Sequence, residues 1–196
     1  MAYANDVEFT DEVLWISFKN GDRNAFEVLL KRYYAVLFRY SSRFTKNRAM
    51  VEDCIQDVFI YIWEHRMSLS NPPSVKFYLL KSVRNRMFLD LKEANRVVEH
   101  NPDTSFEEDI EKHLIREEIQ VLNKTRLSSL LNLLPARQRE ALFLKYFEGL
   151  SVDEIGEIMG VNRQSAANFL YRALTTLREN WVEKAFTLLF CNAMIG

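Results

Sequence analysis

Polar side chains near residue 163 are of the types that contact base edges in DNA. Arg163, Gln164, Ser165 and Asn168 fall in the first turns of a predicted helix, and Arg172 follows one turn later. Arginine and glutamine form bidentate hydrogen bonds with guanine and adenine in the major groove, and arginine also contacts phosphates. The spacing therefore favours a helix whose N-terminal half enters a major groove.

A tight turn precedes these residues. Ser151 and Glu154 predict a capping box at the start of one helix, and Gly160 supplies a turn residue that tolerates positive φ. Gly156 leaves room for the next helix to pack closely. That next helix is predicted to bury Ala166, Leu170, Ala173 and Leu174. The pattern is typical of a helix-turn-helix, and a packed helical hairpin without DNA contacts is the alternative.

A second group of residues mixes cations with aromatic rings on a helix predicted to follow Pro72-Pro73. Its cations are Lys76, Lys81, Arg84, Arg86 and Lys92, and its rings are Phe77, Tyr78 and Phe88. Aromatic rings stack on unpaired bases while neighbouring cations neutralise phosphates. A core stripe with a solvated basic edge fits the same pattern, and the residues alone leave both readings open.

A third group lies on a helix predicted to begin after Asn47. Asp53 and Asp57 are one turn apart, with Gln56 beside them, next to an apolar stripe that ends at Trp63. By pattern alone, an ordinary amphipathic helix is the favoured interpretation.

Nothing in the chain is arranged for catalysis. His65, His100 and His113 form no i,i+4 pair, and the five glycines form no phosphate loop. Cys54 and Cys191 are far apart, with no metal-binding spacing, and are predicted to be buried free thiols. We therefore predict a protein that is not an enzyme and that needs no cofactor or metal.

The elements that position these groups are predicted to be all-α. The 196 residues include only 5 glycines and 4 prolines, with no glycine between Gly21 and Gly149. A β-sandwich with many turns needs far more glycine, proline and asparagine-glycine pairs between its strands. Helix N-caps are predicted at Thr10 and Asn47, and another helix is predicted to start after Asp22.

The net charge of −1 hides strongly segmented charges. An acidic stretch with Pro102 predicts a linker over residues 98–112, which separates a domain at 1–97 from one at 113–196. The N-terminus lacks a secretory signal, and the apolar stretch near residue 190 is too short to span a bilayer. We expect a cytoplasmic protein without direct membrane insertion.

Taken together, and in their order along the chain, the three groups resemble the bacterial extracytoplasmic-function (ECF) sigma factors over roughly Thr10 to Arg178. The segments that carry the resemblance are Glu52–Trp63 (E-D-x-x-Q-D-V-F-x-x-x-W), Tyr78–Asp90 (Y-L, V-R-N, D) and Leu134–Arg178 (L-P-x-x-Q-R, E-G-L-S-x-x-E-I-G, R-A-L-x-x-L-R). Ala166, Ala167, Asn168 and Phe169 depart from the family, many of whose members have β-branched and basic residues here.

The resemblance implies a transcription initiation factor that binds core RNA polymerase and directs it to promoter DNA. Core polymerase would dock on Asp53, Gln56, Asp57, Phe59 and Trp63. The −10 element would be read and opened by the loop from Ser68 to Ser74 and by Lys76, Phe77, Lys81, Arg84, Asn85 and Arg86. The −35 element would be read by Arg163, Gln164, Ser165, Asn168 and Arg172.

The resemblance also implies an anti-sigma factor as partner, which in this family is often membrane-anchored. Two other interpretations stay open at this point. A stand-alone helix-turn-helix regulator would bind duplex DNA without polymerase, usually as a dimer. A helical interaction module would tolerate alanine at Asp53, Gln56 and Asp57. The residues of the tail from 181 to 196 do not indicate whether it extends the last helix, packs on the domain or contacts a partner.

Overall fold

The computed structural model describes residues 9–99 and 130–194, and side chains within residues 9–94 and 130–180. All secondary structure in these ranges is helical, as predicted. The helices are α1 (Asp11–Lys19), α2 (Arg23–Ser41), α3 (Arg48–Glu64), α4 (Val75–Glu99), α5 (Ala136–Tyr146), α6 (Val152–Met159) and α7 (Arg163–Met194). The chain forms two compact units, Met1–Thr104 and Ser105–Gly196. The first two residues of the predicted linker 98–112 belong to the end of α4, which continues to Glu99. The rest of that linker lies outside the described residues.

The helices of the first unit begin where the sequence predicts. The side chains of Thr10, Asp22 and Asn47 accept hydrogen bonds from backbone N–H groups in the first turns of α1, α2 and α3. These caps satisfy donors that have no partner inside the helix. The helix starts are therefore determined by side chains close to them in the sequence.

The first unit packs α1, α2, α3 and α4 around a core rich in aromatic side chains. Its largest fully buried side chains include Trp15, Phe18, Leu29, Leu37, Tyr40, Ile55, Ile62, Leu79, Leu80 and Met87. Cys54 is buried as predicted, and its thiol lies 3.6 Å from the backbone oxygen of Val83 on α4. Burial raises the pKa of this thiol to about 12, so it stays neutral.

A polar contact joins α1 to α2 at the edge of this core. The Asp11 carboxylate accepts hydrogen bonds from the Arg32 guanidinium, at 2.5 Å, and from the Tyr33 hydroxyl. Burial, followed by the effect of Asp11, raises the pKa of Tyr33 above its ordinary value. The hydroxyl therefore remains a donor, which holds α1 against the middle of α2.

In the second unit, α5 and α6 pack on α7 and on each other. Ile155, Ile158 and Met159 on α6 and Phe143 on α5 form much of its core. Ala166, Leu170 and Ala173 on α7 are buried, as predicted. The prediction for Leu174 is wrong, because 44% of this side chain is exposed.

Candidate functional site

A groove with a volume of about 780 Å³ runs between α2 and α3. Three of the residues predicted to bind polymerase, Gln56, Phe59 and Trp63, line its α3 wall. The α2 wall is formed by Arg23, Phe26, Leu30 and Tyr34. The structure therefore brings together a largely apolar floor and a polar rim, which is the usual composition of a protein-binding surface.

Packed aromatic rings form the floor of this groove. The ring of Phe26 lies 5.0 Å from that of Trp63 and 5.9 Å from that of Phe59, measured between centroids. The Arg66 guanidinium lies over the indole of Trp63 at 4.6 Å. Because its neighbours hold the indole on two sides, Trp63 presents a preformed surface to the groove.

Sequence reasoning missed the α2 wall. Phe26 and Leu30 lie on the apolar face of α2, but both are only partly buried and line the groove. Tyr34, beside that face, is 38% exposed. The width of the apolar stripe, which extends beyond what one neighbouring helix covers, is the signal that could have identified this wall.

The two predicted acidic contacts do not line the groove. Asp53 is exposed on α3, whereas Asp57 points towards α4, where its Oδ2 lies 2.8 Å from Nη2 of Arg86. Nε of Arg86 also lies 3.0 Å from Oδ1 of Asp90. A residue predicted to bind polymerase and a residue predicted to bind the −10 element thus form an ion pair between helices.

The other predicted −10 residues on α4 differ in exposure. Asn85 is exposed, and Lys76 and Phe77 are half-buried. The Lys81 ammonium lies 5.5 Å from the ring centroid of Phe77, which places a cation and a ring side by side as the sequence predicts. Arg84 is only 9% exposed, and its guanidinium packs 4.4 Å over the ring of Phe88.

The predicted helix-turn-helix is present in the second unit. The Ser151 side chain accepts from the backbone N–H of Glu154, whose carboxylate accepts from the backbone N–H of Ser151, so the capping box is complete. Gly160 ends α6 at φ +64°. A Cβ on Gly156 would lie 2.9 Å from the backbone oxygen of Val161, so the close approach of the turn requires glycine there.

The predicted −35 residues lie together at the start of α7. Arg163, Gln164, Asn168 and Arg172 are exposed, and Ser165 is half-buried. Nη1 of Arg163 lies 2.5 Å from Oδ2 of Asp153 on α6. The Gln164 amide donates to Oδ1 of Asn168 at 3.3 Å. Most of the predicted set therefore faces solvent on one helix.

Asn162 has a structural role that the sequence analysis did not identify. The Asn162 side chain accepts from the backbone N–H of Ser165 at 2.8 Å, which makes Asn162 the N-cap of α7. The pattern of asparagine before a helix is the signal for this role. The cap fixes the first turn of α7, where the predicted base-contacting residues begin.

Comparison with known proteins identifies both units. The sigma-70 region 2 family model matches residues 29–97, and the sigma-70 region 4 family model matches residues 124–177. Sigma factor SigZ of Bacillus subtilis is 27% identical over 78% of this chain and 85% of its own length. ECF sigma factor SigM of the same organism is 26% identical over 76% of this chain and 91% of its own length.

A solved structure shares the fold. The sigma factor RpoE of Bartonella quintana, in complex with the anti-sigma factor NepR, superposes with a TM-score of 0.62. The match covers 79% of this chain and 94% of that chain, at 23% identity. Within the part of the chain that the structure describes, no helix is both long and apolar enough to cross a membrane.

Two sigma-70 regions in this order define a sigma factor of RNA polymerase. The chain belongs to the ECF sigma factors, as the sequence motifs predict. It is a promoter-specific transcription initiation factor. A stand-alone helix-turn-helix regulator does not account for the region 2 match over most of α2, α3 and α4.

Proposed function

We propose that this sigma factor docks on core RNA polymerase through the groove between α2 and α3. The single observation that carries the proposal is the preformed aromatic floor at Phe26, Phe59 and Trp63, rimmed by Gln56. Aromatic side chains within a polar rim are typical anchors for a partner protein. In this floor Phe26 and Trp63 are partly exposed, whereas Phe59 is 3% exposed and supports them from the core. Asp53 contributes a charge beside the groove, and Asp57 acts through its ion pair with Arg86.

We propose that the two units divide promoter recognition. The domain at 1–97 reads and opens the −10 element with the loop 68–74 and with Lys76, Phe77, Lys81 and Asn85 of α4. Arg84 supports this surface by packing over Phe88, and Arg86 supports it through the ion pair with Asp57. The domain at 113–196 reads the −35 element with Arg163, Gln164, Ser165, Asn168 and Arg172. The exposure of this second set supports its assignment to DNA.

The proposal includes a regulatory partner. RpoE of Bartonella quintana, whose fold this chain shares, is bound to an anti-sigma factor, and we extend this kind of partner to the present chain. The apolar groove would serve such a partner as well as polymerase, so binding of one would exclude the other. In this proposal the chain acts in the cytoplasm by binding polymerase and promoter DNA, and it carries out no catalysis.

Run-off transcription tests the proposed function. The purified chain is mixed with bacterial core RNA polymerase and a pool of genomic promoter fragments. We expect discrete transcripts that are absent without the chain and that share paired −10 and −35 sequences. Absence of both core binding and specific transcripts would overturn the proposal.

A matched pair of charge insertions tests the groove. Gln56→Arg places a cation on the groove rim, whereas Ala35→Arg places one on an exposed part of α2 outside the groove. We expect Gln56→Arg to weaken core binding roughly tenfold, as for a central interface position, and Ala35→Arg to have little effect. Equal effects of the two variants would exclude the groove as the docking surface.

A further inference from the structure

The segment between α3 and α4, which the proposed function assigns to the −10 element, is anchored by α1. The indole Nε1 of Trp15 donates to the backbone oxygen of Ser70 at 3.2 Å. One turn further along α1, the Lys19 ammonium donates to Oδ1 of Asn71 at 3.0 Å. Two neighbouring loop residues are thus held by two side chains of one helix.

Trp15 is itself fixed in place. It is 1% exposed, and its ring makes edge contacts with Phe18 at 5.2 Å and with Tyr78 at 5.3 Å between centroids. Tyr78 lies in the first turn of α4. A single buried indole therefore contacts both the loop and the start of the helix that follows it, so the loop cannot shift without losing a hydrogen bond to a rigid donor.

The other end of the loop is tied back to α3. The backbone N–H groups of Ser68 and Leu69 donate to the backbone oxygen of His65 at 2.8 and 3.2 Å. These turns fix residues 65–69, but they leave the backbone oxygen of Ser70 and the side chain of Asn71 to be held from α1. The anchors from Trp15 and Lys19 fall where local hydrogen bonding within the loop ends.

We propose that Trp15 and Lys19 are positioning residues that set the conformation of the loop 68–74 and thereby determine how strictly the −10 element is selected. This inference rests on the proposed assignment of the loop to the −10 element. Discrimination between bases requires recognition groups to be held within a fraction of an ångström. The middle of the loop, between the turn at Leu69 and the Ser74 cap of α4, acquires that order from its anchors on α1. α1 thus contributes to promoter choice without contacting DNA.

The conservative variant Trp15→Phe tests the inference, because it keeps a buried aromatic ring while it removes the N–H donor together with part of the indole. Holoenzyme containing this variant is assayed on a promoter recovered by run-off transcription and on its single-base −10 and −35 variants. We expect discrimination at the −10 element to fall by about threefold to tenfold, the range for loss of one hydrogen bond. Core affinity and −35 discrimination should stay unchanged.

Phe18→Leu is the matched control for a purely structural effect. Phe18 is fully buried and packs against Trp15, but no hydrogen bond from it can reach the loop. We expect this variant to lower the melting temperature at least as much as Trp15→Phe while leaving −10 discrimination intact. If both variants relax −10 discrimination equally, Trp15 acts only through stability and the inference is overturned.

Lys19→Met provides a second variant that leaves the core untouched, since Lys19 is only half-buried. We expect it to relax −10 discrimination in the same direction, by a smaller factor.

Replacing residues 68–71 with Gly-Ser-Gly-Ser separates the assignment of the loop to the −10 element from its anchoring by Trp15 and Lys19. If this replacement changes −10 discrimination but Trp15→Phe and Lys19→Met do not, the loop assignment stands and the anchoring is wrong. If the replacement leaves −10 discrimination unchanged, both the loop assignment and the anchoring are wrong.

Discussion

On α4, two cations that support the proposed −10 surface are held by other side chains of the first unit, whereas on α7 the residues assigned to the −35 element stand on an exposed helix surface. Arg84 is buried over Phe88, and Arg86 is paired with Asp57 on α3. By contrast, Arg163 and Arg172 are exposed at the start of α7. The two surfaces proposed to bind DNA are therefore supported in different ways.

The difference follows from the tasks of the two surfaces. Opening a duplex requires unpaired bases to be held apart, and a rigid surface tied to several helices resists the forces that this involves. Reading intact duplex DNA requires only that a helix present side chains to a groove, so its outer face can be independent of the core. Substitutions on α4 should therefore change stability and promoter use together, whereas substitutions on the outer face of α7 should change promoter use alone.

The largest expected effect lies behind the DNA-facing surface of the second unit. Gly156→Ala would place a Cβ 2.9 Å from the backbone oxygen of Val161, so the turn before α7 must move. We expect a loss of about 1–3 kcal/mol, as for overpacking of a well-packed site. Hydrogen exchange of peptides from residues 152–170, followed by mass spectrometry, measures the loss locally.

Gly160→Asn is the control for this prediction. Gly160 has a positive φ but open space around its Cβ position, and asparagine tolerates the left-handed region. The Asn variant should therefore cost clearly less than Gly156→Ala. Equal costs at the two positions would mean that backbone conformation, and not the close approach of the turn, determines the stability of the motif.

The next largest effect distinguishes the two surfaces directly. Arg84→Ala removes a buried side chain and its contact with Phe88, for which we expect a loss of roughly 1–3 kcal/mol in the first unit. Arg172→Ala, at an exposed position, should stay within about 0.5 kcal/mol of the parent. Both variants should reduce promoter-dependent transcription. If hydrogen exchange in α3 and α4 is unchanged in the Arg84 variant, then Arg84 does not stabilise the first unit, and the two surfaces do not differ in their link to stability.

Local sequence signals predicted the helices well because their causes are local. The caps at Thr10, Asp22, Asn47 and Ser151 depend on side chains within three residues of the N–H groups that they bind. The positive φ at Gly160 likewise depends on a single residue type. These features are determined by neighbours in the chain, so periodicity and residue type suffice to predict them.

Features that depend on distant residues were not predictable in the same way. Periodicity predicted burial of Leu174, which is wrong, because the pattern does not show which part of α7 its neighbours cover. The pairing of Asp57 with Arg86 joins positions 29 residues apart, so no local pattern in the sequence indicates it. The anchors from Trp15 to Ser70 span an even longer separation, and no pattern in the sequence marks them.

The smallest expected effect concerns the ion pair between Asp57 and Arg86. Both side chains are about half exposed, at 45% and 46%, so water and salt screen their attraction. A double-mutant cycle with Asp57→Asn and Arg86→Gln should therefore give a coupling of about 0.5–1 kcal/mol in the stability of the first unit. The coupling should shrink as the salt concentration rises.

The same cycle shows what Asp57 does for transcription. If Asp57 acts by holding Arg86, its substitution should impair promoter opening, and combining it with Arg86→Gln should add little further loss. If Asp57 instead contacts polymerase directly, its substitution should weaken core binding by the same factor whether or not Arg86 is present. Additive losses in core binding would place Asp57 with the groove residues, and non-additive losses in opening would tie α3 to the −10 surface of α4 through this one pair.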